Sequence, residues 1–115
     1  MKHLLLIDDD KSVRDSVKCL LHNRFKIVEA TNGEIAIQYV NKQPHFDVII
    51  TDYMMPIKNG VEVIEWLRLN NYSAIKIIML TGEVSIKETA LNAGADHVLI
   101  KPFDVVELET ILFAN

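Results

Sequence analysis

What most constrains the fold of this chain is an alternation, carried from one end to the other, between short apolar runs and stretches whose apolar residues recur at helical spacing. The runs Leu4–Ile7, Lys26–Glu29, Asp47–Thr51, Lys76–Leu80 and Val98–Ile100 predict strands. Between and after them come Val13, Val17, Leu20 and Leu21, then Ala36, Ile37 and Val40, then Val63, Ile64 and Leu67. Ile86, Ala90 and Ala93 follow, and finally Leu108, Ile111 and Leu112, each set at the steps that line one face of a helix. The pattern is that of five βα units.

Helix starts carry capping-box spacing, an oxygen acceptor three residues ahead of a glutamate that can reach back: Thr31 before Glu34, Asn59 before Glu62, Ser85 before Glu88, and Asp104 before Glu107. Stops are expected at Pro44, which cannot continue a helix, and at Gly94, suited to the left-handed residue that follows one. Runs as continuously apolar as Val48-Ile49-Ile50 and Ile77-Ile78-Met79-Leu80 fit a parallel sheet covered on both faces, which right-handed βα crossovers would build. The expected fold class is α/β, a three-layer doubly wound (βα)5 domain with the flavodoxin-like sheet order 2-1-3-4-5. That order puts a crevice beyond the carboxyl ends of strands 1 and 3.

Asp8 and Asp9 fall just past strand 1 and Asp52 just past strand 3, so the order makes them neighbours. Three carboxylates in one crevice repel one another unless a cation sits among them, and an all-oxygen site with few protein ligands best suits Mg²⁺. Taken singly, these acids have plainer uses: Asp10 as a helix N-terminal residue and Asp52 as the start of an Asx turn. Strands 4 and 5 tip the balance, because Thr81 and Lys101 end them at the same edge. A carboxylate can attack phosphorus, a metal and a lysine can neutralise the phosphoryl oxygens, and a threonine hydroxyl can hydrogen-bond one of them.

The bulk properties remove other classes. At 115 residues one domain is expected, spanning 1–115. A formal charge of −4 and a pI near 5.5 argue against a grip on nucleic acid. Cys19 is the single cysteine, which excludes an intrachain disulfide and a cysteine-based zinc site; it is expected as a small core residue. His3, His22, His45 and His97 lack metal-ligand spacing. The apolar opening reaches Asp8 too early to form a signal sequence, and no later run approaches the roughly 20 residues of a membrane span. A cytoplasmic setting is therefore expected, with no membrane contact.

Through Leu5-Leu6-Ile7-Asp8-Asp9-Asp10, Thr51-Asp52-Tyr53-Met54-Met55-Pro56 with Asn59-Gly60, Met79-Leu80-Thr81-Gly82, and Ala93-Gly94-Ala95-Asp96 ahead of Lys101-Pro102-Phe103, the chain resembles the receiver domains of two-component response regulators over essentially its whole length. The resemblance implies that Asp52 is the phosphoacceptor, loaded from the phosphohistidine of a sensor histidine kinase or a histidine phosphotransfer protein. It implies Mg²⁺ held by Asp8, Asp9, Asp52 and the Met54 backbone carbonyl, with Asp8 often acting through water. Thr81 would be the switch hydroxyl, Lys101 the cation at the phosphoryl group, and Lys101–Pro102 a cis peptide. Control of a downstream output domain or protein is implied, with no enzymatic turnover beyond the domain's own phosphotransfer and dephosphorylation. The sequence departs from the family at Val98, where an aromatic residue is usual, while Met54 and Glu83 occupy two rate-tuning positions.

Other readings fare worse. A flavin-binding flavodoxin would need a phosphate cradle where Asp8, Asp9 and Asp10 stand, and a phosphatase of the haloacid dehalogenase type needs a second acid where Met54 stands. The main alternative is a receiver-like interaction module that is not phosphorylated. No output segment follows the last expected helix, which accommodates a stand-alone receiver and an N-terminal domain of a longer regulator alike.

Overall fold

A computed structural model describes residues 1–43 and 45–113, and in it the five apolar runs form one sheet. The strands are β1 (Lys2–Ile7), β2 (Phe25–Ala30), β3 (Val48–Asp52), β4 (Lys76–Thr81) and β5 (His97–Ile100). They alternate with α1 (Lys11–Leu21), α2 (Gly33–Lys42), α3 (Gly60–Leu69), α4 (Lys87–Ala93) and α5 (Val105–Phe113). All neighbours pair in parallel, in the expected order β2-β1-β3-β4-β5.

Period-two alternation within each strand splits the core into two layers. Leu5 and Ile7 of β1, Ile49 of β3, and Ile77 and Met79 of β4 pack with Ala36, Val40, Val63, Ile64, Leu67 and Ala90, so α2, α3 and α4 cover one face. Leu4 and Leu6, Val48 and Ile50, Ile78 and Leu80 point the other way, onto Val17 and Leu21 of α1 and Leu108 of α5. Full burial of each such aliphatic side chain stabilises the fold by about 1.5–3 kcal/mol.

Register sets the functional edge. Ile7 pairs with Thr51, so Asp8 leaves β1 beside Asp52, which is the last residue of β3 rather than just past it. Thr81 pairs with Ile100, which brings Lys101 to the same edge.

The helix starts depart from the expected capping boxes in three places. Only Asn59 and Glu62 form the full reciprocal box. At α2 the cap is Asn32, not Thr31, because Asn32 is extended and its side-chain oxygen reaches the Ile35 amide at 2.9 Å. At α4 a 3-10 turn, Val84–Ile86, intervenes, so Ser85 lies inside the turn and no side chain caps the helix. Asp104 accepts from the Val106 amide at 2.8 Å, one residue short of Glu107. Asp10 caps α1 by accepting from the Ser12 amide and hydroxyl at 2.9 and 2.8 Å, and those bonds hold its carboxyl below the usual range. Gly94 ends α4 at φ 123°, as expected, whereas the Pro44 stop lies outside the described residues. Cys19 is exposed, because it lies two residues beyond Val17 and so turns away from the buried stripe of α1.

Candidate functional site

The parallel register leaves three carboxylates at the carboxyl edge of the sheet. Asp8, Asp9 and Asp52 each offer an oxygen within 4.8 Å of the others. Asp8 is 1% exposed and Asp52 9%, while Asp9 lies on the surface. Burying a carboxylate is costly unless it is paired and hydrogen-bonded, and both buried acids are. Asp8 Oδ1 accepts from the Asp10 amide at 2.9 Å, and Asp52 Oδ1 from the Tyr53 amide at 2.8 Å.

Lys101 supplies the pairing. Its Nζ stands 3.2 Å from Asp8 Oδ2 and 3.3 Å from Asp52 Oδ1, and its amide donates to Thr81 O at 2.8 Å. The Lys101–Pro102 peptide is cis, as the family resemblance implies. Burial, and then the negative charge of Asp8, push the Asp52 carboxyl above its ordinary value, with Lys101 and the Tyr53 amide opposing. Burial works against the charge on Lys101, but Asp52 and Asp8 together hold its pKa above the usual lysine value.

The donor set suits a small hard cation. In an octahedral Mg²⁺ shell with bonds of about 2.1 Å, opposite oxygens lie about 4.2 Å apart. Carboxylate oxygens that all lie within 4.8 Å of one another are close enough to converge on one such ion, with neighbouring oxygens drawing in toward about 3 Å. Two like charges held beside a third, with a single ammonium between Asp8 and Asp52, leave a net negative site that a cation would relieve.

Thr81 is buried at the end of β4, and its hydroxyl oxygen accepts from the Glu83 amide at 3.1 Å. Met54 sits on the β3–α3 loop with its side chain 62% exposed. Val98 is buried among the side chains under α2–α4. The edge therefore brings together Asp8, Asp9, Asp52, Thr81 and Lys101, all of them expected from the sequence.

Two supports were not expected. Gly60 begins α3 hard against β3, where a Cβ would overlap Asp52 O and crowd Met79 Cε. Arg14 of α1 donates to Asp8 O at 2.8 Å and to Glu29 Oε1 at 3.0 Å. A sequence signal for this pair existed: Glu29 is the one acid in the expected second strand.

Among the described residues, no helix is long and apolar enough to cross a membrane. Residues 4–113 match the family model for the response regulator receiver domain. The transcriptional regulatory protein CpxR of Escherichia coli (strain K12) is 32% identical over 109 residues, covering 94% of this chain and 46% of that protein. The response regulator MprA of Mycobacterium sp. (strain KMS) is 37% identical, covering 91% and 46%. The chain thus spans about half the length of these curated relatives. Among solved structures, the Vibrio cholerae chemotaxis protein CheY4 is similar at a TM-score of 0.87 and 33% identity, covering 97% of this chain and 96% of that one. The receiver domain of the Francisella response regulator 1452 has a TM-score of 0.83 at 29% identity, covering 94% and 90%. A sheet of order 2-1-3-4-5, acids closing β1 and β3, a lysine after β5, and a family match over residues 4–113 converge on one conclusion: the chain belongs to the response-regulator receiver family.

Proposed function

We propose that residues 1–115 act as one receiver domain that takes a phosphoryl group onto Asp52 from the phosphohistidine of a sensor histidine kinase or histidine phosphotransfer protein. The observation that carries this reading is the Lys101 ammonium, in reach of both Asp52 and Asp8 at an edge where three carboxylate oxygens lie within 4.8 Å. Asp8, Asp9 and Asp52, with the Met54 carbonyl, would hold Mg²⁺. Bound there, the cation supplies positive charge that offsets the phosphoryl oxygens.

Asp52 Oδ1 is occupied by the Tyr53 amide and Lys101, whereas Oδ2 meets no donor among the described residues and is the oxygen we assign as nucleophile. Oδ2 forms the bond to phosphorus as the phosphorus–nitrogen bond breaks, and the electron pair leaves with the donor imidazole, which takes up a proton. Lys101 stays protonated throughout, as its raised pKa allows, and neutralises charge on the transferred group. The Thr81 hydroxyl, whose oxygen accepts from the Glu83 amide at the end of β4, would donate its proton to a phosphoryl oxygen.

The transferred charge would bias the domain toward a second conformation and so control an output domain or protein partner. This domain itself would not contact nucleic acid or membrane, and a cytoplasmic setting goes with such partners. The test is intact mass after incubation with Mg²⁺ and a small acyl phosphate. A hydroxylamine-labile phosphoryl adduct on wild type, lost in Asp52→Asn, is expected. Its persistent absence in wild type would instead favour an unphosphorylated interaction module.

A further inference from the structure

We propose that Arg14 is a positioning residue for the cation site: by gripping the Asp8 carbonyl it fixes the Asp8–Asp9 peptide and keeps the Asp9 carboxylate turned toward Asp8 and Asp52. This rests on the reading that the acidic cluster holds a divalent cation.

The Asp8 backbone is tied on both sides. Its amide donates to Ala30 O at 3.1 Å, and its carbonyl accepts from Arg14 Nη1 at 2.8 Å. Its carboxylate is tied as well, to the Asp10 amide and Lys101. Asp9 differs, because its carboxylate meets no protein donor among the described residues yet lies within 4.8 Å of its neighbours. With no donor to hold it, its direction depends on how the backbone that carries it is set. A peptide unit is planar, so holding the Asp8 carbonyl also sets the plane of the Asp9 amide.

Arg14 is equipped to hold that plane still. Its side chain is only 12% exposed, and its Nε donates to Glu29 Oε1 at 3.0 Å while Lys18 holds Glu29 Oε2 at 3.0 Å. Partial burial opposes ionisation of Glu29, but Lys18 and Arg14 keep its carboxyl below the usual range. The rigid guanidinium fork spans a carboxylate on β2 and a carbonyl after β1 at once, which a lysine ammonium cannot do from the same stem. Such outer contacts orient ligands, and their loss typically weakens metal binding about tenfold or more.

The sign of the effect separates positioning from charge. A guanidinium repels a cation, so on electrostatics alone Arg14→Ala would bind Mg²⁺ more tightly, and Arg14→Lys would bind it as wild type does. A residue that merely staples α1 to β2 would change stability and leave affinity alone. Positioning predicts weaker binding in both variants, by about tenfold in Arg14→Ala and by several fold in Arg14→Lys.

The experiment is calorimetric titration of the full chain with Mg²⁺, each variant first checked for a cooperative melt. Arg14→Lys keeps the charge and the Glu29 pair, so it carries the test if Arg14→Ala does not fold. Weakened binding in a folded variant supports the proposal, and unchanged or tighter binding overturns it. If wild type binds no Mg²⁺, the cation reading fails and takes this one with it. If wild type binds and folded Arg14→Lys matches it, the positioning role alone is wrong.

Discussion

The first residue of α3, Gly60, lies so close to Asp52 that any side chain there would overlap the Asp52 carbonyl oxygen. The Gly60 amide also donates to Tyr53 O at 2.9 Å, so the helix start and the end of β3 are locked at a distance only a bare Cα permits. Gly60→Ala must push the helix from the strand that carries Asp52. Overpacking of this kind costs about 1–3 kcal/mol. A fall of that size in urea unfolding is expected, together with slower adduct formation from acyl phosphate; unaltered stability and rate would show that the contact is not tight.

Asp52 carries a stability penalty at neutral pH. Burial and the Asp8 charge raise its folded pKa above the ordinary 3.8, so the folded state binds the proton more tightly than the unfolded chain does. Its contribution is then fully present below 3.8 and lost as pH rises through the folded value. Asp52→Asn removes that loss and should stabilise the metal-free protein at pH 7 by roughly 1 kcal/mol. The gain should shrink toward pH 3.5. Urea titrations in chelator at both pH values measure it, and a gain that does not change with pH would contradict the repulsion described here.

Arg68 of α3 ties down the chain where α4 ends. Its guanidinium donates to Gly94 O at 3.0 and 2.8 Å, to Tyr72 O at 2.7 Å, to Ile75 O at 3.1 Å and to Asp96 Oδ2 at 3.2 Å. Truncation strands several carbonyls at once, each costing about 1–3 kcal/mol where buried, so Arg68→Ala should lose about 3 kcal/mol in all. Arg68→Lys should recover only a minor part, because a point charge cannot fork. Equal stability of Arg68→Lys and wild type in chemical denaturation would mean that charge, not the fork, matters.

Much of this was legible because parallel βα units put every strand's carboxyl end at one edge, where Asp8, Asp52, Thr81 and Lys101 interrupt apolar runs. The helix starts were less so. Thr31 and Asn32 both offer an oxygen, and spacing alone cannot tell which one is extended and aimed at a free amide. Ser85 and Glu88 have box spacing, yet the 3-10 turn at Val84–Ile86 consumes the residues that would have formed it. Arg14 escaped because its partners belong to β2 and to the loop after β1, and linear spacing does not say which strand a helix crosses.

Phosphorylation should be transmitted chiefly through Thr81 and the segment after it, because Val98 offers a short, stiff side chain already buried under α2–α4. The Thr81 hydroxyl is now the acceptor for the Glu83 amide, so a phosphoryl group that draws it away releases the start of the 3-10 turn. No side chain caps that turn or α4 behind it, whereas the other end of α4 is held by Arg68 through Gly94. Motion is thus expected at Gly82 to Ile86 rather than at Gly94. The added group brings a charge of roughly −2 and new acceptor oxygens. A ligand shifts a population only by its differential affinity for the two states, so removing this one hydroxyl contact should shrink the shift while leaving phosphoryl transfer in place. Backbone amide NMR of wild type and Thr81→Ala, with and without beryllofluoride as a stable mimic of the phosphoryl group on Asp52, measures it. Across Gly82 to Asp104, wild type should show its largest changes at Gly82 to Ile86 and small ones at Gly94, Thr81→Ala should show much smaller changes at Gly82 to Ile86, and Thr81→Ser should restore them. Equal responses in wild type and Thr81→Ala would mean that the signal leaves the site by another path.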